Sequence, residues 1–373
     1  MRIKITAILS LLFLFFSCKH SEQLPPQSNQ YAEGFTVVEH ATYQELVVLN
    51  PFNHYQTVLE RYYLIKEDTI STPDNGIRLK VPITNIGISS ATHAGFLKEL
   101  DAINIVSATT HPKDIFTPLP ENAKIISDGM QIHTERTIRS GISALMLSLY
   151  NENDKQTQLF RQAGLTLLYN HEWYEQTPLA RAEWIKFFGA LLDKQTEADS
   201  IFEQVKHDYL KYQQLVKDSV RRKKSILTGS SFMGTWYLPT SATYMGRLLI
   251  DAGATFYNDK NTTNASLPFT FEKVLLHYKD ADVWLGCEAK DKQQLLEKDE
   301  RNAWFKAYKT NQTYNFYKRR TTYTNEDGGT IVGGNDFWET GVAHPELVLC
   351  DIIKVLYPNL LPEYELFFTE KLD

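Results

Sequence analysis

The sequence has little cysteine and no excess of basic residues. Only three of its 373 residues are cysteine, and 45 acidic against 39 basic residues give a formal net charge of -6 at pH 7. A protein that binds nucleic acid through phosphate contacts needs a basic excess, so we expect no nucleic-acid partner. Cys287 and Cys350 lie in apolar runs, which predicts buried free thiols. A disulfide between them is the alternative in an oxidising cell envelope.

Motifs typical of hydrolases and of phosphate loops are missing as well. The segment HEWYE (171–175) has no second histidine four residues after the first, and Pro178 prevents the helix that a zinc-protease motif needs. In GSSFMG (229–234), Met233 stands where a nucleophile elbow needs its second glycine. No lysine follows Gly234, as a phosphate loop requires. We therefore expect no enzyme, and a hydrolase of the cell envelope is the less favoured alternative.

Four histidines of the first half leave one metal-binding alternative open. Two of them follow strand-like segments, in SSATH and SATTHP, where ligands gather in α/β folds. Histidine is a common ligand for transition metals. Scattered histidines without close spacing are more often solvated or capping, so we expect no metal or cofactor of the protein itself. A receptor for bare zinc or manganese would use His93, His111, His133 and His171.

The one long apolar run of the sequence is too short for a comfortable membrane span. It covers residues 5–16 behind a positively charged start, which predicts a secretory signal peptide over residues 1–17. Cys18 follows a small residue and resembles the acylated cysteine of a bacterial lipobox, although Phe15 and Phe16 depart from the usual pattern. We expect a lipid-anchored protein of the bacterial cell envelope that faces the periplasm.

Residues 18–33 are polar, contain two prolines and show no periodicity. This composition predicts a flexible tether between the lipid and the folded part.

From Gly34 onward, strand-like segments alternate with segments of helical spacing. ITNIGISS is strand-like, THAGFLKELDA has helical spacing, and INIVSATT is strand-like again. This order is typical of an α/β lobe. The alternation stops near Thr177 and resumes after Arg222. We therefore predict two α/β lobes, residues 34–177 and 223–373, each with a mostly parallel central sheet.

Residues 178–222 predict a helical connection between the lobes. Thr177 suits a helix N-cap and Pro178 the first helical position. Apolar residues recur at helical spacing on both sides of Asp193. One uninterrupted helix over this segment would be about 65 Å long, so we expect a break near Asp193.

Four stretches of the sequence resemble the substrate-binding proteins of ABC importers that have a helical backbone between their lobes. They are NIGISSATHAGFLKELDAINIVSATTHP, PLARAEWIKFFGALLDKQTEADSIFEQV, WYLPTSATYMGRLLIDAGA and LPFTFEKVLLHYKDADVWLG. That family carries iron-siderophores, haem or cobalamin to an inner-membrane permease and its ATPase. The resemblance implies a periplasmic-binding-protein-like fold, a monomer, and capture of a ferric chelate or corrinoid without any reaction.

The resemblance also implies roles for particular residues. One glutamate on each lobe docks onto permease arginines in that family, and the matching positions are Glu135 and Glu272. Exposed carboxylates suit bidentate arginine contacts, although the sequence after Glu135 departs from the family pattern. Arg181 is a candidate for an anionic group of the ligand. The ligand-binding candidates as a group are His93, Trp173, Tyr174, Arg181, Trp236, Tyr244 and Trp338.

One more rival interpretation exists beyond metal binding and hydrolysis. An adhesion or scaffold lipoprotein would share the anchor and the lobes but lack a saturable small-molecule site.

Overall fold

The computed structural model describes residues 24–129, 131–149, 151, 154–324 and 330–373. The predicted signal peptide and the predicted lipidation site, Cys18, lie outside these residues. Within the described part of the chain, no helix is both long enough and apolar enough to cross a membrane.

The segment ahead of the first strand is held against the body of the protein. The N–H groups of residues 30–32 donate to the buried Glu183 carboxylate at 2.7 to 2.9 Å. Those of residues 33–34 donate to Glu175 at 2.9 and 3.0 Å. The sequence predicts a flexible tether over residues 18–33, and this prediction is wrong for residues 30–33. Their backbone N–H groups donate to buried carboxylates, which hold this segment in place.

A four-stranded sheet opens the folded chain. Its strands are β1 (Phe35–Glu39), β2 (Gln44–Leu49), β3 (Val58–Ile65) and β4 (Ile77–Lys80). The first three strands are antiparallel, and β4 joins β3 in parallel. Its first two strands pack against a helix of the connecting segment, residues 185–192. The sequence had not separated this sheet from the first lobe.

The first lobe is built on a five-stranded parallel sheet with strand order β7-β6-β5-β8-β9. Its strands β5 and β8 are buried along their whole length, as the apolar runs of central parallel strands require. The elements in chain order are β5 (Ile86–Ile88), α1 (Ala91–Glu99), β6 (Val106–Thr109), β7 (Lys124–Ile125), α2 (Thr134–Ser140), β8 (Ala144–Leu147), α3 (Lys155–Gln162) and β9 (Thr166–Tyr169).

Three helices connect the lobes: α4 (Pro178–Glu183), α5 (Ile185–Leu192) and α6 (Gln195–Ser219). The Thr177 hydroxyl accepts the N–H of Ala180 at 3.1 Å, so the predicted cap is confirmed. Asp193 takes a left-handed conformation with φ of 56°, which breaks the helix where the sequence predicts it. The 25 residues of α6 span about 37 Å.

The second lobe is built on a sheet with strand order β13-β10-β15-β16-β19, parallel except for β19. Smaller antiparallel sheets join β11, β12 and β14, and β17 with β18. Its elements are β10 (Lys224–Thr228), β11 (Ser231–Phe232), β12 (Thr235–Leu238), α7 (Tyr244–Asp251), β13 (Ala254–Thr255), β14 (Leu267–Phe269), α8 (Phe271–Tyr278), β15 (Val283–Leu285), α9 (Lys292–Lys298), α10 (Lys306–Lys309), β16 (Thr313–Asn315), β17 (Arg320–Thr324), β18 (Thr330–Asn335), α11 (Thr340–Ala343), α12 (Pro345–Leu356) and β19 (Glu370–Lys371).

Helix α1 of the first lobe packs directly on the second lobe. Lys98 donates to the Thr340 hydroxyl at 2.9 Å, and the His344 ring lies between Glu99 and Glu346 at 2.9 and 2.8 Å. Burial alone would lower the pKa of His344, but its hydrogen bonds to these two carboxylates outweigh that effect and raise the pKa to about 10. A charged imidazole therefore joins the lobes at neutral pH.

The loop after β6 is a second contact between the lobes. A Cβ on Gly334 would lie 2.2 Å from the backbone of Ile115 and Phe116, so glycine is required for this close approach. The buried Glu339 carboxylate accepts the N–H groups of Phe116 and Thr117. Together with the helical connection, these contacts hold one lobe against the other.

Cys287 and Cys350 are both buried and both free. The prediction of free thiols is confirmed, and the alternative of a disulfide between them is wrong. Burial raises the pKa of each thiol to about 12, so neither is a reactive thiolate at neutral pH.

Candidate ligand-binding cleft

Loops from both lobes line one cavity of about 470 Å³, which we call the central cavity. The first lobe contributes Asp114, from the loop after β6. The carboxyl ends of parallel strands meet at one edge of a sheet, where ligands bind in open α/β folds. The second lobe contributes residues after β15 and β16 and around the β17–β18 hairpin: Gly286, Glu288, Phe316, Tyr317, Arg320, Gly333, Asn335, Phe337 and Trp338.

Aromatic rings and charges shape the walls of the central cavity. Phe316 and Phe337 stack with their ring centroids 4.2 Å apart, and the Arg320 guanidinium lies 4.1 Å over the Tyr317 ring. The Trp338 side chain is 52% exposed. A large exposed ring beside a cavity offers a surface that a ligand with apolar or aromatic faces can cover.

Two further cavities adjoin the central one. The C-terminal cavity, about 480 Å³, lies beside the β11–β12 hairpin and shares Glu288 with the central cavity. The N-terminal pocket, about 80 Å³, lies between the loops after β5 and β6 and shares Asp114 with it. Each of these two cavities therefore has one lining residue in common with the central cavity.

Comparison with known proteins agrees with this architecture. Residues 145–319 match the family model of periplasmic binding proteins. An ABC transporter substrate-binding protein of Listeria monocytogenes is 18% identical, with a TM-score of 0.52 over 74% of this chain and all of that one. The chain has the fold of a periplasmic binding protein. The expected α/β fold and the expected resemblance to substrate-binding proteins of ABC importers are confirmed.

Three further proteins are similar to this chain. CeuE of Helicobacter pylori, with Ni(II) bound, is 13% identical, with a TM-score of 0.57 over 80% of this chain and 92% of that one. A periplasmic heme binding protein of Pseudomonas aeruginosa is 11% identical, with a TM-score of 0.56 over 78% and 98%. An uncharacterized lipoprotein of Methanocaldococcus jannaschii is 23% identical over 343 residues, 84% of this chain and 78% of that one.

Of the ligand-binding candidates chosen from the sequence, Trp338 lies in the central cavity. Trp173 and Tyr174 lie elsewhere, in the loop that leads into α4. Their rings are 4.1 Å apart, and Tyr174 also packs edge-on against Phe52 at 5.5 Å. Both are only partly buried, so each keeps some surface for contact.

Arg181 is satisfied within the protein and is wrong as an anion-binding candidate. Its guanidinium donates to the carbonyl oxygens of Trp173 and Glu175 at 2.7 and 3.2 Å. It also lies 4.3 Å over the ring of Tyr244, whose hydroxyl donates to the Gly341 carbonyl at 3.2 Å. Arg181 and Tyr244 therefore join α4 to α7 and α11, and Tyr244 is corrected from a ligand contact to a packing residue.

His93 is a core residue and is also corrected, whereas Trp236 is buried but lies outside the central cavity. Trp236 is buried in the second lobe, donates to the Thr228 carbonyl at 2.7 Å and packs against Trp284 at 5.5 Å. Trp236 is one of the residues that line the C-terminal cavity. His93 is fully buried, with its Nε2 atom 3.4 Å from the Ser148 hydroxyl.

The four histidines do not form a metal site. His133 pairs with Asp128 at 3.1 Å, and the exposed His111 lies 2.9 Å from the Thr110 hydroxyl. His93 and His171 are buried elsewhere. Over the described ranges, no group of three or more His, Cys, Asp or Glu residues could hold a metal ion, which removes the basis for the four-histidine receptor.

The predicted docking residues lie on the surface, one on each lobe. Glu135 is 77% exposed and pairs with Arg139 at 2.7 Å. Glu272 is 74% exposed and pairs with Arg301 at 2.9 Å. Each lies in the first turn of its helix, α2 or α8. Hydrogen bonds from its own N–H, from Thr270 and from Arg301 lower the pKa of Glu272, which keeps this carboxylate charged.

The sequence missed Asp114, Glu288, Tyr317 and Arg320 as cleft residues. Asp114 follows the strand-like segment INIVSATT, so its position carried a usable signal. The sequence-based choice instead favoured histidines and tryptophans near the same strand ends, because those residue types are more distinctive.

Proposed function

We propose that this binding protein is the substrate-binding lipoprotein of an ABC importer and takes its ligand in the central cavity. The observation that carries the proposal is a cavity lined from both lobes, with the exposed ring of Trp338 on its wall. A volume of about 470 Å³ lies in the range of about 300–1,000 Å³ typical of small-molecule sites. No reaction is required, since binding and release are the whole activity.

The ligand class we propose is a metal chelate: an iron-siderophore, haem or cobalamin. Exposed and stacked aromatic rings suit the flat or ring-shaped faces of all three. Arg320 suits their anionic groups. The Ni(II)-bound Helicobacter protein and the Pseudomonas heme binding protein share the fold and support a metal-containing ligand. The adjoining C-terminal cavity offers additional room for a ligand larger than the central cavity alone.

We further propose that Glu135 and Glu272 dock the loaded protein onto its permease. Both carboxylates are exposed and each is paired with an arginine of its own chain. Surface ion pairs contribute only about 0–1 kcal/mol, so an arginine of the permease can replace the internal partner at little cost.

The proposed location is the periplasmic side of a bacterial membrane, with a lipid on Cys18. The related lipoprotein of Methanocaldococcus jannaschii supports an anchor of this kind. Labelling with a radioactive fatty acid in cells tests it directly. We expect label in the wild-type protein and none after Cys18→Ser.

Ligand binding is tested by titrating the purified protein with ferric siderophores, haem and cobalamin. We expect one of them to quench tryptophan fluorescence and to raise the melting temperature, as any ligand of the folded state must. Trp338→Ala should remove most of the quenching and weaken binding by roughly tenfold or more. The matched control is Trp304→Ala, since Trp304 is 51% exposed but is not among the residues that line the central cavity.

Two results would contradict the proposal. The ligand class is wrong if every compound leaves both signals unchanged. The assignment of the central cavity is wrong if a compound binds equally well to the Trp338 variant and to the control.

A further inference from the structure

Half of the residues that line the N-terminal pocket carry a hydroxyl group. Its residues from the β5–α1 loop include Ser89 and Ser90, and those from the end of β6 include Thr109 and Thr110. The pocket measures about 80 Å³, several times the ~10–15 Å³ that one water molecule needs. A group of a few non-hydrogen atoms therefore fits, and the hydroxyl groups can donate several hydrogen bonds to it.

The first turn of α1 borders the same pocket. Helix α1 has nine residues and begins at Ala91, which is itself a lining residue. The Ser90 hydroxyl caps it by accepting the N–H of Thr92 at 3.3 Å. The first N–H groups of a helix have no acceptor inside the helix and carry a partial positive charge, which favours an anion at this end.

Thr109 provides an independent sign of an occupant. Its side chain is buried, with 2% of the residue exposed. Within the described residues its hydroxyl oxygen has no hydrogen-bond partner. Buried hydroxyl groups without a partner are uncommon and costly. Thr109 lines the pocket, so a ligand atom there would satisfy this hydroxyl.

Asp114 restricts which anion the pocket can take. It lines both this pocket and the central cavity, and its carboxylate repels a fully deprotonated anion such as sulfate. A monohydrogen phosphate group keeps one P–O–H, which donates a hydrogen bond to a carboxylate. Its remaining oxygens accept hydrogen bonds from the hydroxyl groups and the helix N–H groups.

We propose that the N-terminal pocket is a subsite for inorganic monohydrogen phosphate, which keeps one P–O–H at neutral pH. Among the described residues, Asp114 lines both this pocket and the central cavity, and the inference stands apart from the proposed function. No covalent step is involved.

The test is calorimetric titration of the full mature chain with inorganic phosphate and with sulfate. We expect one phosphate per chain and markedly weaker binding of sulfate. Thr109→Val keeps the shape of the side chain but removes the hydroxyl, and should weaken phosphate binding about tenfold. The matched control is Thr313→Val, because Thr313 in β16 is equally buried and its hydroxyl is likewise without a partner among the described residues. Melting curves establish that both variants fold.

Asp114→Asn separates phosphate from sulfate. Removing the negative charge should strengthen sulfate binding. The ratio of phosphate affinity to sulfate affinity should therefore become smaller. The inference is overturned if phosphate does not bind, if sulfate binds the wild-type protein as tightly, or if Thr109→Val binds phosphate as well as the control does.

Phenyl phosphate tests the requirement for a P–O–H group, because a phosphomonoester with a second pKa of about 6 carries no proton on its phosphate at neutral pH. We expect it to bind more weakly than inorganic phosphate. Binding as tight as that of inorganic phosphate would contradict the hydrogen bond donated to Asp114. The phosphate titration and the chelate titration can fail separately. Phosphate binding that depends on Thr109, together with no chelate binding, would contradict only the proposed function. Chelate binding without phosphate binding would contradict only the phosphate subsite.

Discussion

His93 and His171 show how burial sets the chemistry of single residues in this protein. Both are fully buried in the first lobe. Burial, with the nearby His171, lowers the pKa of His93 to about 3, and burial lowers the pKa of His171 to about 4. The Nε2 atom of His171 accepts the N–H of Leu149 at 3.3 Å, as a neutral ring can. The folded protein therefore keeps both rings uncharged in mildly acidic solution.

We expect these two histidines to reduce stability in acid. Below their ordinary pKa of about 6.5, the unfolded chain binds protons that the folded chain does not. Stability is therefore complete above pH 6.5 and falls as the pH drops toward 4, by at most about 1.4 kcal/mol per pH unit for each ring. In His93→Leu the loss between pH 6.5 and 4, measured by urea unfolding, should be smaller than in the wild type.

The control for this measurement is His207→Gln, because His207 is exposed on α6. Equal acid sensitivity of His93→Leu and the control would contradict a role for His93. The quantity to compare is the slope of the unfolding free energy against pH. The absolute free energy is unsuitable, because His93→Leu also loses the Ser148 contact at 3.4 Å, which lowers stability at every pH.

At the scale of residues, sequence reasoning selected the right types but not their orientations. Trp236, Tyr244 and Trp338 are all large aromatic residues near strand or helix ends. Only Trp338 exposes its ring to the central cavity. Aromatic side chains suit a core as well as a cleft, so only the packing of both lobes distinguishes the two environments.

Among the elements, α5 and α6 contact each other through small residues. A Cβ on Gly189 of α5 would lie 2.6 Å from the Cβ of Ala198 of α6. The left-handed Asp193 between them turns the chain back. Gly189 is therefore a packing requirement of this pair of helices, even though glycine inside a helix costs about 1 kcal/mol relative to alanine.

Gly189→Ala should destabilise the protein by about 1–3 kcal/mol, because overpacking exceeds the gain in helix propensity. Ala198→Gly on the opposite helix makes room for the added methyl group. The double variant should therefore recover part of the loss, seen as a favourable coupling energy in a double-mutant cycle measured by urea unfolding. Strict additivity, or a more stable Gly189→Ala protein, would contradict direct contact at this position.

Sequence signals were sufficient for the connecting helices but not for the first sheet. The cap at Thr177 and the break at Asp193 depend on local chemistry, which neighbouring residues determine. The sheet of β1 to β4 depends on pairing between strands and on packing against α5. Such non-local contacts leave no distinct local pattern.

For the whole molecule, the lobes hold the exposed carboxylates of Glu135 and Glu272 on separate bodies, one on each lobe. Helix α1, His344 and the close contact at Gly334 hold the lobes together. This fixed arrangement is what the proposed docking of both carboxylates onto one permease requires.

Glu135→Gln and Glu272→Gln should each lower ligand-dependent ATPase stimulation of the cognate permease in proteoliposomes. A charge-assisted hydrogen bond contributes about 1.5–3 kcal/mol, so each change should weaken docking roughly tenfold or more. Ligand affinity should stay unchanged, because neither residue is among those lining the central cavity. The matched control is Glu197→Gln, since Glu197 is also an exposed acid in a first helical turn, that of α6. Full stimulation by both variants would contradict the docking role.

Taken by itself, the sequence determined the α/β class, the helical connection with its cap and break, and the resemblance to substrate-binding proteins. These features depend on local propensity, periodicity and the order of elements, which are properties of neighbouring residues. Only the tertiary structure decided which side chains meet in the cleft. Asp114 and Glu288 border the same cavity from different lobes, and their meeting depends on how the two sheets pack.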